Sequence, residues 1–242
     1  MLRRDLRNLS QLVTPLVLGV VYALMVLRSG GLASAEQGNG PAWLAEGMRN
    51  AAAYARIGVS LSVGWTLLAR LAAMGFSQEG KNYWLLKVAP VSSGQLLAAK
   101  FLAAYLPALL LGWAFVGALA LAQCGGPDLS SLWFSLAVVG LCLAAMAGIY
   151  LAFGVSAARM DWEDPRQMVS GVAGCLGALA TGLATVVGLA LFAVPQIGLA
   201  LLGWPTLAGQ VLGLLVGGAF SLACALVLPW WVRGRVARLG EG

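Results

Sequence analysis

Leu132-Trp-Phe-Ser-Leu-Ala-Val-Val-Gly-Leu-Cys-Leu-Ala-Ala-Met-Ala-Gly-Ile-Tyr-Leu-Ala-Phe-Gly-Val-Ser-Ala157 carries no charged residue from end to end. About 20 apolar residues in a helix cross the ~30 Å hydrocarbon core of a bilayer, so this run is long enough to span. Five more stretches have the same character: Leu12–Leu27, Ala51–Gly75, Leu96–Leu121, Gly171–Val194 and Thr206–Val232. The expected fold is an all-α polytopic membrane protein, residues 1–242 forming one transmembrane domain. The whole composition agrees. Of 242 residues, 60% are hydrophobic and 10% charged, against about 25% charged in a soluble domain. A soluble enzyme, a disordered tail and a nucleic-acid-binding module are poor fits. Ile197–Trp204, bracketed by Pro195 and Pro205, is too short to span and is expected to form a separate lumenal or interfacial helix.

The few charges orient the chain. With the N-terminus in the cytoplasm, Arg3, Arg4, Arg7, Arg70, Lys81, Lys87, Lys100, Arg159, Arg166, Arg233, Arg235 and Arg238 fall inside, and only Arg28, Arg49 and Arg56 fall outside. That asymmetry follows the positive-inside rule, and six spans put both termini in the cytoplasm. Trp204, Trp230 and Trp231 suit an interfacial aromatic belt. Arg56 lies about one turn into the second span, where it can snorkel outward as a rim anchor or mark a substrate path. Before the first span, Leu2, Leu6, Leu9 and Val13 recur at helical spacing with Arg3, Arg4 and Arg7 on the other face. Residues 1–11 are either an interfacial amphipathic helix or a basic flank without structure of its own.

Two cytoplasmic loops hold most of the remaining polarity. Residues 76–95 mix charge, aromatics and apolar side chains: Tyr83, Leu86 and Pro90 share one rough helical face, Trp84 and Lys87 another. Pro90 ends that helix, and Ser92 with Gln95 forms a capping box for the third span. The element either presses on a partner below the membrane or is an ordinary interfacial connector. Gly75 to Lys81 matches GxxxxGK spacing, but Asn82 stands where a phosphate loop needs Ser or Thr, and a membrane helix precedes the glycine instead of a strand. No nucleotide site is expected there. In residues 158–170, Asp161, Glu163 and Asp164 suggest a metal site or paired carboxylates. They are contiguous, with Arg159 and Arg166 beside them, and a solvated, partly self-paired loop is the better reading.

The chain has no histidine, which removes the commonest general base and metal ligand. Cys124, Cys142, Cys175 and Cys224 form no CxxC pair and are expected as small core residues, with no metal site. Gly209, Gly213 and Gly217 repeat every four residues, continued by Ser221; Gly174, Ala178 and Gly182 form a similar row. Such rows let helices approach closely, within one chain or between two.

The loops carry a family resemblance. Ser77-Gln-Glu-Gly-Lys-Asn-Tyr-Trp-Leu-Leu-Lys-Val-Ala-Pro-Val-Ser92, followed by Leu97-Ala-Ala-Lys100-Phe, resembles the loop of bacterial ABC-exporter permeases of the type-two class. There, a Ser-x-Glu-Gly-Lys/Arg run leads through an aromatic pair and a Lys to a Pro-Val/Ile-Ser turn. Asp161-Trp-Glu-Asp-Pro-Arg-Gln-Met-Val-Ser-Gly171 and the opening Arg4-Asp-Leu-Arg-Asn-Leu-Ser-Gln-Leu-Val-Thr-Pro-Leu16 resemble other stretches of the same permeases. The resemblance implies an N-terminal amphipathic elbow helix, six spans, and a coupling helix in the first loop that docks on an ATPase subunit. Carried over by position, Glu79, Gly80, Lys81, Tyr83, Trp84 and Lys87 lie at or near that contact. Asp161, Glu163, Asp164 and Arg166 line the second loop. The related permeases are often about twice as long, with two such halves, and this chain resembles the C-terminal half. It therefore pairs with itself or with a separate chain supplying the other half.

On this reading the chain is the transmembrane subunit of an ATP-driven exporter in a bacterial inner membrane. It has no nucleotide site of its own and no catalytic residue; ATP and magnesium are bound by partner ABC ATPase subunits. The apolar spans suit a lipid, peptide or hydrophobic drug better than a small ion. The alternatives are an intramembrane enzyme acting on lipid, for which Asp161, Glu163 and Asp164 are the candidate groups, and a non-transporting membrane scaffold.

Overall fold

The computed structural model describes residues 13, 17, 19–22, 24–25, 42–77, 92–121, 129–158 and 171–238. Five long helices account for most of them: α1 Ala42–Leu71, α2 Ser93–Leu121, α3 Leu129–Ser156, α4 Gly171–Leu201 and α5 Thr206–Arg238. There is no β-strand among the described residues. The described residues are thus essentially helical, and α2, α3, α4 and α5 are long and apolar enough to cross a membrane. In such surroundings each backbone N–H and C=O must be bonded internally, which a helix achieves and an irregular segment does not. α1 covers most of the expected second span but is less apolar, with Arg49, Arg56 and Arg70 along it. Within the expected first span, the described positions 13, 17, 19–22 and 24–25 are helical. The proposed elbow helix, residues 1–11, lies outside the described residues.

Pro195 does not separate a short interfacial helix as the sequence suggests. α4 runs through it to Leu201, because losing one helical hydrogen bond costs less than exposing several backbone groups among apolar side chains. The stop comes later and is set by Gly203, which adopts φ 74°. Its N–H donates to the Ala200 carbonyl at 3.1 Å, and the Trp204 N–H donates to the Leu199 carbonyl at 3.0 Å. These are the paired bonds of a Schellman cap, and they need a left-handed residue that glycine supplies without steric cost. α5 then starts at Thr206 and also continues through a proline, Pro229.

The chain divides into two compact units, Met1–Leu67 with Ala108–Gly140, and Leu68–Pro107 with Leu141–Gly242. In the first, Ile57, Leu61, Val63, Val116, Val138 and Val139 are buried, and Trp113 Nε1 donates to the Leu136 carbonyl at 3.0 Å. Gly19 sits where a Cβ would meet both Phe115 and Val63 at 2.5 Å.

In the second unit, α4 and α5 are antiparallel neighbours joined by the Gly203 turn. Gly209, Gly213, Gly217, Ser221 and Ala225 form a continuous buried row on α5. A Cβ on Gly209 would lie 2.8 Å from Gln196 Cα, and one on Gly213 would lie 2.5 Å from the Phe192 carbonyl. The row therefore packs within the chain, with Phe192 fully buried over Gly217. On α4 the buried row is Gly177, Thr181, Gly188 and Phe192, not Gly174, Ala178 and Gly182. Of that row Gly188 and Phe192 meet α5, at Phe220 and at Gly213 and Gly217, while Gly177 meets Phe153 of α3.

Cys142 is buried and Cys224 half-buried, but Cys175 is exposed, correcting its expected core place. A small sulfur side chain is apolar enough for an outward face in a bilayer.

Candidate functional site

The side chains expected at a partner contact, Glu79, Gly80, Lys81, Tyr83, Trp84 and Lys87, lie outside the described residues, as do Asp161, Glu163, Asp164 and Arg166. What the structure describes is how the first loop is held at its two ends, both in the second unit. α1 closes with Ala72 N–H donating to the Leu68 carbonyl at 2.8 Å. The chain then turns through Ala72–Ser77. Lys100 Nζ donates to the Gly75 carbonyl at 2.9 Å and stands 6.0 Å from the Phe76 ring centroid. Phe76 is fully buried in a cluster with Leu97, Leu151, Val155 and Val236. On its other side, the Ala72–Ala73 backbone lies so close to α3 that a Cβ on Gly154 would be 2.6 Å from the Ala73 carbonyl.

At the far end the capping box forms as the sequence suggests. Ser92 Oγ accepts from Gln95 N–H at 3.3 Å, and Gln95 Oε1 accepts from Ser92 N–H at 3.1 Å. Two otherwise orphaned donors of the first turn are satisfied reciprocally. Both ends of the loop are thus tied to α2 and α3 by apolar packing, one lysine and one cap.

A cavity of about 20 Å³ lies nearby, lined by Ala73, Tyr150, Phe153, Gly154, Ala157, Gly174 and Gly177. That holds about one water molecule and is far too small for a cargo.

Arg56, in the first unit, departs from its expected outward snorkel. It is 5% exposed, and its Nη2 donates to Ser131 Oγ at 2.9 Å. Ser60 Oγ donates back to the Arg56 carbonyl at 2.9 Å. A guanidinium that finds an acceptor on a neighbouring helix loses less by burial than one left in hydrocarbon. The partner is 75 positions away in the chain, so local sequence gave no sign of it.

The family described as "Putative ATP-binding cassette" matches residues 1–231. No curated protein and no solved structure matches the chain. The family match corrects the expectation that this chain has no nucleotide site of its own, and with it the assignment of ATP and magnesium to partner subunits alone. That expectation rests on one short segment, with Asn82 where a phosphate loop needs Ser or Thr and a helix before Gly75 in place of a strand, whereas the match takes in nearly the whole chain. The described residues give no phosphate cradle: Gly75 follows the C-terminus of α1, whose dipole end is negative, and its carbonyl already accepts from Lys100. Gly80 and Lys81 lie outside the described residues, and no chemical step through a nucleotide follows from the rest.

Proposed function

The chain belongs to this ATP-binding cassette family, and from that premise we propose that it is the membrane-spanning unit of an ATP-driven exporter. The observation that carries the reading is the pairing of an ABC family match with four helices long and apolar enough to cross a bilayer. The family supplies the link to ATP, and the helices supply a body suited to a lipid phase.

In this reading Leu12–Leu27 and the Ala51–Gly75 region complete six spans, residues 1–11 form the elbow helix, and both termini face the cytoplasm of a bacterial cell. The distribution of basic residues supports that orientation. The loop with Glu79, Gly80, Lys81, Tyr83, Trp84 and Lys87 docks on an ABC-type partner subunit, with Asp161, Glu163, Asp164 and Arg166 in the second loop beside it. A second copy or a separate permease chain completes the pathway.

The anchoring of the first loop gives this reading a mechanical basis. Force on the loop reaches the spans through the buried Phe76, the Lys100–Gly75 hydrogen bond and the Ser92 cap, so docking and span movement are joined by short, stiff contacts. For the pathway to switch, nucleotide must bind the two conformations with different free energies.

The test is to reconstitute the chain in liposomes with a candidate ABC-type ATPase subunit. Wild type and the Glu79→Lys, Lys81→Glu double variant are compared for co-purification and ATP-dependent movement of hydrophobic dyes. Loss of both in the double variant is expected; unchanged co-purification and movement would remove the docking assignment. Photolabelling of the purified chain with azido-ATP measures how much nucleotide the chain itself holds.

A further inference from the structure

From Gly171 to Val232 the sequence holds no charged residue, and that run includes the turn between α4 and α5. A turn that faces water is ordinarily rich in polar residues. This one reads Leu201-Leu-Gly-Trp-Pro205, whereas the α2–α3 connection carries Asp128. The side chains of the turn also point away from the protein: Leu201 is 84%, Leu202 72% and Trp204 60% exposed. Ile197 and Leu207, on the adjoining helical turns, are exposed beside them. The tip of the α4–α5 hairpin is therefore an apolar surface, with Thr206 its exposed polar side chain.

The backbone of the turn suits the same surroundings. Leu202 N–H donates to the Gly198 and Leu199 carbonyls, Gly203 N–H to Ala200 and Trp204 N–H to Leu199. Pro205 has no N–H to satisfy, and its carbonyl accepts from Ala208 N–H at 3.0 Å. A lipid-facing segment must bond its backbone donors internally. This turn does so over three consecutive residues and follows them with a proline.

Helix length sets the depth. Trp230 follows Thr206 by 24 positions on α5, which is about 36 Å of helix. The hydrocarbon core is about 30 Å thick, and about 40–45 Å with both headgroup zones. With the exposed Trp230 and Trp231 in one interfacial zone, the start of α5 falls inside the opposite one. Trp204 then lies at the depth that an indole favours, with its ring among lipid and its N–H near water.

We propose that the turn Leu201–Pro205 does not project into water but is seated in the bilayer, with Leu201, Leu202 and Trp204 among the glycerol groups and first acyl methylenes of the leaflet opposite the first loop. Three independent features select lipid as the occupant. The turn has no charge to hydrate, its consecutive backbone donors are bonded within the chain, and the length of α5 ends it at that depth. The apolar tip holds any phospholipid alike, because it offers a headgroup no charge to read. The inference concerns the membrane-embedded chain itself and does not depend on its role in export.

The test places an environment-sensitive fluorophore on Leu202→Cys in the full-length chain, its own cysteines replaced by alanine, reconstituted in phosphatidylcholine vesicles. Two quenchers are compared: phosphatidylcholine with a nitroxide near the carbonyl end of one acyl chain, and iodide on both sides of the membrane. Strong quenching by the nitroxide lipid is expected, with blue-shifted emission and loss of most of the iodide quenching shown by the same fluorophore on free cysteine. Adding Leu201→Asp and Trp204→Asp should reverse the pattern, since hydrated carboxylates draw the tip out of the lipid. The proposal is overturned if iodide quenches the parent protein as it does the free adduct, which would put the turn in water. It is also overturned if neither quencher acts, which would mean that another protein surface covers the tip. Persistence of the lipid pattern in the aspartate variant would overturn it as well, because these side chains would then not be what seats the turn.

Discussion

Along α3, every residue from Cys142 to Ala152 is buried, whereas α5 buries one row at every fourth position and turns most of its other side chains outward. Within their membrane-crossing windows α5 is at least as apolar as α3, yet 78% of that window is buried in α3 against 28% in α5. In water, apolarity would drive both helices inward. In a bilayer the surroundings are as apolar as the core, so hydropathy cannot sort central helices from peripheral ones. Side-chain size does that sorting. The buried stretch of α3 contains Ala144, Ala145, Ala147, Gly148 and Ala152, and neighbours close in around it: a Cβ on Gly148 would lie 2.6 Å from the Cys224 carbonyl and 2.7 Å from Ala225 Cα of α5. The outward positions of α5 are instead large, Leu215, Leu222, Leu226 and Val227 among them.

The contrast can be broken most forcefully at Gly148. Gly148→Leu must push the α5 backbone away and should cost about 3 kcal/mol or more, read as a large loss of folded protein in a denaturant titration in mixed micelles. Leu151→Ala, which empties a fully buried site on α3, should cost about 2–4 kcal/mol in the same titration. Gly213→Ala on the buried row of α5 meets the Phe192 carbonyl and should cost about 1–3 kcal/mol, with a matching drop in Tm. Leu215→Ala, on a side chain 65% exposed, should change stability by less than about 0.5 kcal/mol. If Leu215→Ala proved as damaging as Leu151→Ala, the outward face of α5 would have to be an interface with another protein, and the comparison would fail.

The long apolar runs and the capping box at Ser92 were legible in the sequence because each is written in contiguous residues. The glycine row of α5 was legible as a packing device because its fourfold spacing survives any uncertainty in helix ends. Its partner was not, since nothing local says that Phe192 and Gln196 would cover it. Pro195 misled because a proline's local cost is fixed, whereas the cost of opening a helix depends on what surrounds it. Arg56 misled for the related reason that its acceptor, Ser131, belongs to another helix. The exclusion of nucleotide failed differently: Asn82 after Lys81 and a helix before Gly75 are observations on one short segment, and the family match draws on residues 1–231 together. The described ends of the first loop add what the sequence could not give, namely that Phe76, Lys100 and Gly154 hold it.

The cap at Gly203 has a consequence for how the chain is made. Only Leu202–Pro205 separate α4 from α5, so the two helices meet with almost no loop-closure entropy to overcome. Their tight glycine contacts join residues close in sequence, and such local pairs form early and fast. α4 and α5 can therefore enter the bilayer as one preassembled hairpin, each shielding the other's backbone during insertion, before the pair packs against α3. A residue unable to take a positive φ at position 203 would then delay membrane integration more than it would disturb the finished protein.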